Sequence, residues 1–512
     1  MIPREMSRLG CVVALVVAGR AAVAADWNGL ENQGAPVAYL AQPSVALLSS
    51  SRSVVVGTRL DGGVVRLGGM LVDRGVWTAL GGASVDEGTA VAHRAPRLAA
   101  DGAGHAALLY GRFDGSVWRL AARWFDGAVF SDLSGGAPVD QDVGGNTGGF
   151  AGAFVTITKL VVAYTKDDGS RMALFVRSWN GGGWQDENAG AALDDPAGIG
   201  ADAPAIAGDG AGGALVAYVQ YGSGGQRLTT VRLDATGWQP TGAATPPDHL
   251  GLGGVSSPAV TALAGGRWLV AYVQEDADGA SQHLYAAVWT GSSWAYVNEG
   301  LPLDGYPKGV RAPAVASDGA GGAILVYTTA DLVDGIEAPT VRSLRVTGLS
   351  ATPMNGGDFL EAAGAGTIPA LALATWGVGG ACSALLLMDE QSGGIDRVYS
   401  RAILAPVAAT PVATAPAETG PGVRVTHNLF RPDRGEQARI VYVSPTSERL
   451  RVAIYSLAGT AVRLVSDGPL AGRGEWMWDG RDDAGQTVGA GVYLLVAEAG
   501  SARDTRKIVV VR

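Results

Sequence analysis

Hydrophobic positions along this chain come in short runs rather than helical stripes. Stretches such as "ALVAYV" (214–219), "RWLVAYVQ" (267–274) and "AILVYTT" (323–329) are almost wholly apolar and are bounded by Gly- and Asp-rich turns. Runs of this length without polar interruption predict strands covered on both faces. Between them lie hairpin-like segments such as "LYAAVWTGSSWAYV", where a glycine-bearing turn separates two further strands.

The runs repeat. A proline recurs at Pro43, Pro96, Pro204, Pro258, Pro313 and Pro369, with Phe150 holding its place in the third unit, at steps of 53, 54, 54, 54, 55 and 56 residues. Fourteen residues after the marker stand Gly57, Tyr110, Tyr164, Tyr218, Tyr272 and Tyr327. A large apolar residue follows near the fourth strand: Trp77, Phe130, Trp184, Trp238, Trp294 and Leu349. Each unit reads as four strands, with an Asp-Gly-x-Gly turn between the first two. Asp101, Asp209 and Asp318 are expected as turn residues whose carboxylates bond the backbone ahead of them, with glycines taking positive φ. Four strands over about 54 residues, seven times, is the pattern of a seven-bladed β-propeller.

The seventh unit supplies only three strands before the chain enters "VAATPVATAPAETGPG". The segment "DWNGLENQGAPV" (26–37) reads like the tails after other fourth strands. A strand around Trp27 is therefore expected to complete the last blade and close the ring. The propeller spans 26–405, and its repeats resemble propeller-like repeats of large secreted bacterial proteins.

Composition narrows the setting. The formal net charge of −10 leaves no basic face for nucleic acid. Residues 1–25 carry positive charge, an apolar run too short to span a bilayer, and small residues suited to cleavage after Ala24 or Ala25, which is a signal-peptide pattern. Cys11 lacks the upstream aliphatic residue of a lipidation site. Removal of the leader leaves Cys382 alone, so no internal disulfide is expected and stability rests on core burial. The expected location is secreted or cell-surface.

Residues 406–421 form an Ala/Pro/Thr linker. Beyond it, period-two alternation over 422–512 predicts a small β-sandwich. "NLFRP" (428–432), "YSLAG" (455–459), "WDGRDDAG" (478–485) and "GVYLL" (491–495) resemble the immunoglobulin-like domain of the flagellar hook-capping protein, FlgD. The pattern is also similar to C-terminal sorting domains of type IX secretion. That resemblance implies a sorting or anchoring role and a partner in secretion or cell-surface machinery. Asp479, Asp482 and Asp483 are expected in turns and Trp478 in the sandwich core. The fold class is thus all-β: a seven-bladed propeller followed by an Ig-like sandwich.

Candidate chemistry is sparse. Arg94 and Arg311 each stand two residues before the marker proline, at the expected channel mouth, where other units carry Ala41, Gly148, Asp202, Ser256 and Thr367. Asp202 faces the two arginines across the opening, with His93 and Lys308 near them in sequence. These five residues are the candidate ligand-binding set. The Ser-x-Asp-x-Gly-x-x-Trp box of sialidase blades is absent, the histidines lack metal spacing, and no Gly-x-Ser-x-Gly elbow or phosphate loop is present. No cofactor, metal or catalytic residue is therefore assigned. The tyrosine series either packs between blades or lines a sugar-binding rim. Loops between strands two and three vary most, and the acidic loop with Glu275, Asp276 and Asp278 reads as solvated. The leading expectation is a non-catalytic exported protein that binds a glycan or extracellular protein. A sialidase-like enzyme and a purely structural surface protein are the alternatives.

Overall fold

A computed structural model describes residues 36–81, 85–86, 91–133, 135–140, 145–241, 246–277, 279, 281–304, 309–333, 336–355, 360–361, 367–378, 381–392, 395–403, 422–425, 429–434, 437–457, 459–499 and 502–511. Two compact units divide near residue 408. The leader, Trp27, Asp278, Lys308 and the linker lie outside the described residues.

Residues 41–403 form seven antiparallel sheets, six of four strands and the last of three. Within each, strands follow one another in sequence order. The blades run over 41–79, 93–132, 147–186, 200–241, 255–296, 311–353 and 367–403. The first strand of every blade lies against the first strand of the next, and that of the seventh against that of the first, so these strands make the inner ring. Second strands are the most buried: Leu215, Val216 and Ala217 are fully covered, as are Leu108, Leu109, Val161 and Val162. Their alternating faces feed the apolar layers between neighbouring blades. One layer joins Leu109 and Leu120 of blade 2 to Phe150, Leu160 and Tyr164 of blade 3.

Closure uses the N-terminal segment. Val37 donates its N–H to the Val398 carbonyl at 2.8 Å, and Val398 donates back to the Ala38 carbonyl at 2.8 Å. This bridge sets the chain beside the third strand of blade 7, Ile395–Ile403, before it enters the inner strand of blade 1. An apolar layer of Leu40, Val45 and Val55 with Leu385, Leu387 and Val398 fills the seam behind it.

Two recurrent devices order the blades. The first is a β-bulge in the inner strand at the marker proline. The register slips between Ala41 and Ser44, Arg94 and Arg97, Asp202 and Ala205, Ser256 and Ala259, Arg311 and Ala314, and Thr367 and Ala370. The residue before the proline takes a left-handed conformation in five blades: Gln42, Ala95, Ala203, Ser257 and Ala312, with φ between 47° and 51°. None of the five is glycine, so each bulge stores strain. The displaced amides are recaptured across blades in part of the ring. Gln42 N–H bonds the Asp389 carboxyl at 2.9 Å, and Ala95 N–H bonds the Gln42 side-chain oxygen at 3.3 Å.

The second device is a buried acid after each outer strand: Asp86, Asp140, Asp194, Asp248 and Asp304, none more than 4 % exposed. Four of them accept the backbone N–H of the third strand, from Leu120, Leu174, Leu228 and Leu284. Glu361 does the same for Val341 N–H at 2.7 Å. A basic side chain completes each aspartate: Arg66 and Arg227 grip Asp86 and Asp248 bidentately, Arg171 bonds Asp194, and the His283 ring meets Asp304 at 3.1 Å. Asp140 takes the buried Lys166 ammonium at 2.7 Å and the Thr147 hydroxyl at 2.9 Å. Each acid thereby ties the connection between blades to the blade behind it.

The expected turns are present. Asp101 accepts the amides of Ala103 and His105, Asp209 those of Ala211 and Gly213, and Asp318 those of Ala320 and Gly322, all within 3.0 Å. Gly210 and Gly212 take φ of 75° and 107°, which side chains resist.

Residues 422–510 form the second unit, a six-stranded all-β fold. Its two long strands, Ala438–Ser456 and Ala461–Trp478, pair along their length with register shifts that bend them. Phe430, Ile440, Leu450, Val452, Ile454, Trp478 and Ile508 make its core. Trp478 is sealed between Phe430 and Tyr493, and its indole N–H bonds the Arg481 carbonyl at 2.8 Å. Asp479, Asp482 and Asp483 accept the amides of Arg481, Gln486 and Leu464, which is turn and strand capping. Among the described residues no group of acids, histidines and cysteines is placed to hold a metal.

Candidate functional site

Antiparallel order within a blade puts the strand two–three loops, the links to the next blade and the bulged start of each inner strand on one face. The candidate residues divide unequally on that face.

His93 is fully buried, edge-on to Tyr110 with ring centroids 5.3 Å apart, and does not reach the opening. Arg94 is half-buried. Its guanidinium stacks 4.4 Å over the Trp118 ring and donates to the Thr147 carbonyl of blade 3. Burial lowers its pKa from the usual arginine value. Arg311 is exposed, and the Thr328 hydroxyl donates to its carbonyl at 3.0 Å. Asp202 is exposed and stands at a cavity. The structure brings Arg94 and Asp202 close to one stretch of blade 3. Arg94 bonds Thr147, Gly148 lines the cavity, and a Cβ on Gly149 would meet Asp202 Oδ1 at 3.4 Å. Arg311 stands two blades beyond Asp202, in blade 6.

That cavity, about 460 Å³, opens between blades 3 and 4. Its volume lies in the ~300–1,000 Å³ range of small-ligand sites. Met172, Ile199 and Tyr221 give it apolar surface; Asp202 and Gln226 give it polar atoms. Gly148, Gly200, Gly222 and Gly225 keep it open. Gly148 cannot carry a side chain, since a Cβ there would approach Thr165 Oγ1 to 2.6 Å and Met172 Cε to 2.7 Å. Ile199 is 67 % exposed at its edge. Burial and, secondarily, the Asp202 charge push the Tyr221 hydroxyl upward, so it stays a proton donor at neutral pH. A ring for stacking, a carboxylate and an amide around an open floor suit a polyhydroxylated ligand. Asp202 is the single carboxylate among the described residues lining this cavity.

The tyrosine series does not line the rim. Tyr110, Tyr164, Tyr218, Tyr272 and Tyr327 are at most 2 % exposed and pack between blades. Tyr272 donates its hydroxyl to the Pro247 carbonyl at 2.7 Å, and burial raises its pKa strongly, as it does that of Tyr218.

Sequence reading missed Tyr221, Gln226 and Arg97. Tyr221 sits three residues beyond the repeated Tyr218, at the start of a loop already singled out as variable. Arg97 follows Pro96 where the other units carry Ser44, Ala151, Ala205, Ala259, Ala314 and Ala370, a contrast visible in the repeat alignment.

Comparison with known proteins bears on both units. Structures with a related architecture include a polysaccharide lyase of family PL25, an ulvan lyase, at 12% identity and a TM-score of 0.44, covering 73% of this chain and 95% of that one. The α-L-arabinofuranosidase Arb93A from Fusarium graminearum shares 11% identity with a TM-score of 0.43, covering 74% of this chain and 97% of that one. PorZ, a surface component of the type-IX secretion system of Porphyromonas gingivalis, shares 12% identity with a TM-score of 0.25, covering 92% of this chain and 81% of that one. No activity is carried over at these levels. No curated protein matches the chain in sequence. Residues 429–503 match the family model of the FlgD Ig-like domain, and the second unit of this chain is a domain of that kind.

Proposed function

We propose that this chain is an exported, non-catalytic binding protein whose propeller recognises a glycan at the cavity between blades 3 and 4, while the FlgD-type domain serves sorting or anchoring. The observation that carries the reading is the open, glycine-floored cavity holding Tyr221, Asp202 and Gln226 on the variable-loop face. Aromatic faces stack on the C–H faces of sugars, and carboxylates and amides pair with hydroxyls. Recognition on loops held by a rigid scaffold is the usual division of labour. The leader-like residues 1–25 support export.

The test is a glycan-array screen of residues 26–512 beside Asp202→Ala and Tyr221→Ala. Selective binding that both variants lose supports the reading. No binding by a well-folded sample would overturn it in favour of a protein partner or a structural role. Turnover of a bound glycan would favour the sialidase-like enzyme instead.

A further inference from the structure

The inner strand of blade 2, His93–Ala100, carries a second arginine. Both faces of its sheet are covered by neighbouring blades. A water-accessible side chain on it can look only toward the channel. Arg97 is exposed.

The bulge aligns the two arginines. Arg94 stands opposite Gly111 and Arg97 opposite Leu109. Gly111 and Leu109 are two residues apart on one strand and so share a face; Arg94 and Arg97 therefore share the matching one, roughly 7 Å apart along the strand. Without the extra residue, positions three apart would point oppositely. The shared face is the one toward blade 3, because Arg94 bonds Thr147 and Leu109 belongs to the layer with Phe150 and Tyr164. Blade 3 presents "TGGFAGAF" there, with no acid among its residues.

Several arginines elsewhere in the propeller meet carboxylates, among them Arg66 with Asp86, Arg119 with Asp114, Arg177 with Asp186 and Arg227 with Asp248, while Arg52 and Arg123 bond backbone carbonyls. Arg97 has one hydrogen bond, from Nη1 to the Pro96 carbonyl at 3.0 Å, and Arg94 has a carbonyl and a ring. Neither meets a carboxylate among the described residues. An exposed guanidinium with no carboxylate beside it is open to an anionic group from outside the chain. The other six units carry serine or alanine at the Arg97 position, so the propeller has one such place.

We propose that Arg97, with Arg94 above it on the same face, holds the anionic group of an acidic glycan at the mouth of the channel, beside the cavity between blades 3 and 4. This rests on the glycan reading above and names the ligand class: polysaccharides bearing uronate carboxylates or sulfate esters. A planar guanidinium matches both groups in bidentate geometry.

The test has two arms on the full mature chain. In the first, calorimetry compares polygalacturonate with its neutral methyl ester, and heparin with desulfated heparin, for wild type, Arg97→Ala and Arg97→Gln. Wild type should prefer the acidic forms, and both variants should lose at least tenfold of that preference. Equal affinity for acidic and neutral forms, or an unchanged preference in the variants, overturns the proposal. In the second arm, thermal unfolding is followed in sodium sulfate against sodium chloride at matched ionic strength. Sulfate should raise the wild-type Tm more than that of Arg97→Gln. That difference in a chain that binds no glycan would defeat the glycan reading while keeping the anion site. The same shift in wild type and variant would defeat the anion site, even where neutral glycans bind at Tyr221.

Discussion

Tyr218 and Tyr272 occupy the same repeat position, yet their hydroxyls differ. Tyr272 bonds the Pro247 carbonyl, whereas Tyr218 contributes mainly its ring to the layer between blades 3 and 4. Tyr218→Phe should therefore be close to neutral, and Tyr272→Phe should cost about 1 kcal/mol for the lost hydrogen bond. Tyr218→Ala should cost about 3–5 kcal/mol as a buried aromatic truncation. Urea denaturation of the three variants checks the set, and an unshifted midpoint for Tyr218→Ala would refute the packing role. Asp140 is the harsher case. Its removal takes the carboxylate away from the Lys166 ammonium, whose side chain has no exposure, and from the Leu120 amide. Asp140→Ala is expected to cost about 3–5 kcal/mol, as for one partner of a buried ion pair. Its replacement by asparagine keeps an acceptor for Leu120 N–H and should lose less.

Among the elements, the seam between blades 7 and 1 carries a pH-sensitive group. Asp389 is buried, and one of its oxygens has no hydrogen-bond partner among the described residues. Burial raises its pKa to about 6 from 3.8, against the opposing pull of the Gln42 amide. The folded chain therefore binds a proton that the unfolded chain releases earlier. Stability from this group is full below the ordinary carboxylate range and falls as pH rises through about 4 to 6. Asp389→Asn keeps an acceptor for the Gln42 amide and removes the ionisation. It should stabilise the chain at pH 7.5 by on the order of 2–3 kcal/mol and match wild type near pH 4. Parallel stability–pH profiles for the two would contradict this. The bulges give a milder expectation: Ala203 holds φ of 50°, and Ala203→Gly should be neutral or stabilising by up to about 1 kcal/mol, measurable as a shift in Tm.

Element scale is also where the sequence was most readable. The apolar second strands, the Asp-Gly turns and the Trp478 plug follow from local chemistry, and each stands where local chemistry places it. The bulges were not readable, because a proline fixes its own φ but does not announce a left-handed residue before it. The aspartates after the outer strands do recur at propeller spacing, but their partners lie about 20 residues back and emerge only when the strands pair. The site was legible in part. Asp202 was found from its place before a marker proline. Tyr221 and Arg97 needed knowledge of which residues share a face, which the bulge itself resets. His93, close in sequence to Arg94, was turned inward by the alternation of the strand.

At the scale of the molecule, the propeller and the FlgD-type domain have separate cores, so calorimetry of the full chain should resolve two transitions. A single transition would mean that the two cores are energetically coupled. Within the propeller, the Gln42–Asp389 bond joins residues 347 apart in sequence. Contacts of that span are made late, since the loop they close runs through nearly the whole ring. A chain emerging from its N-terminus holds the closing segment first and its partner last. Through most of synthesis, blade 1 waits with an uncovered edge and residues 37–38 unpaired. The ring is thus a clasp whose two halves are made at opposite ends of the work. The state most open to proteases and to pairing with another copy of the chain is the nearly complete one, six blades long, just before Val398 arrives.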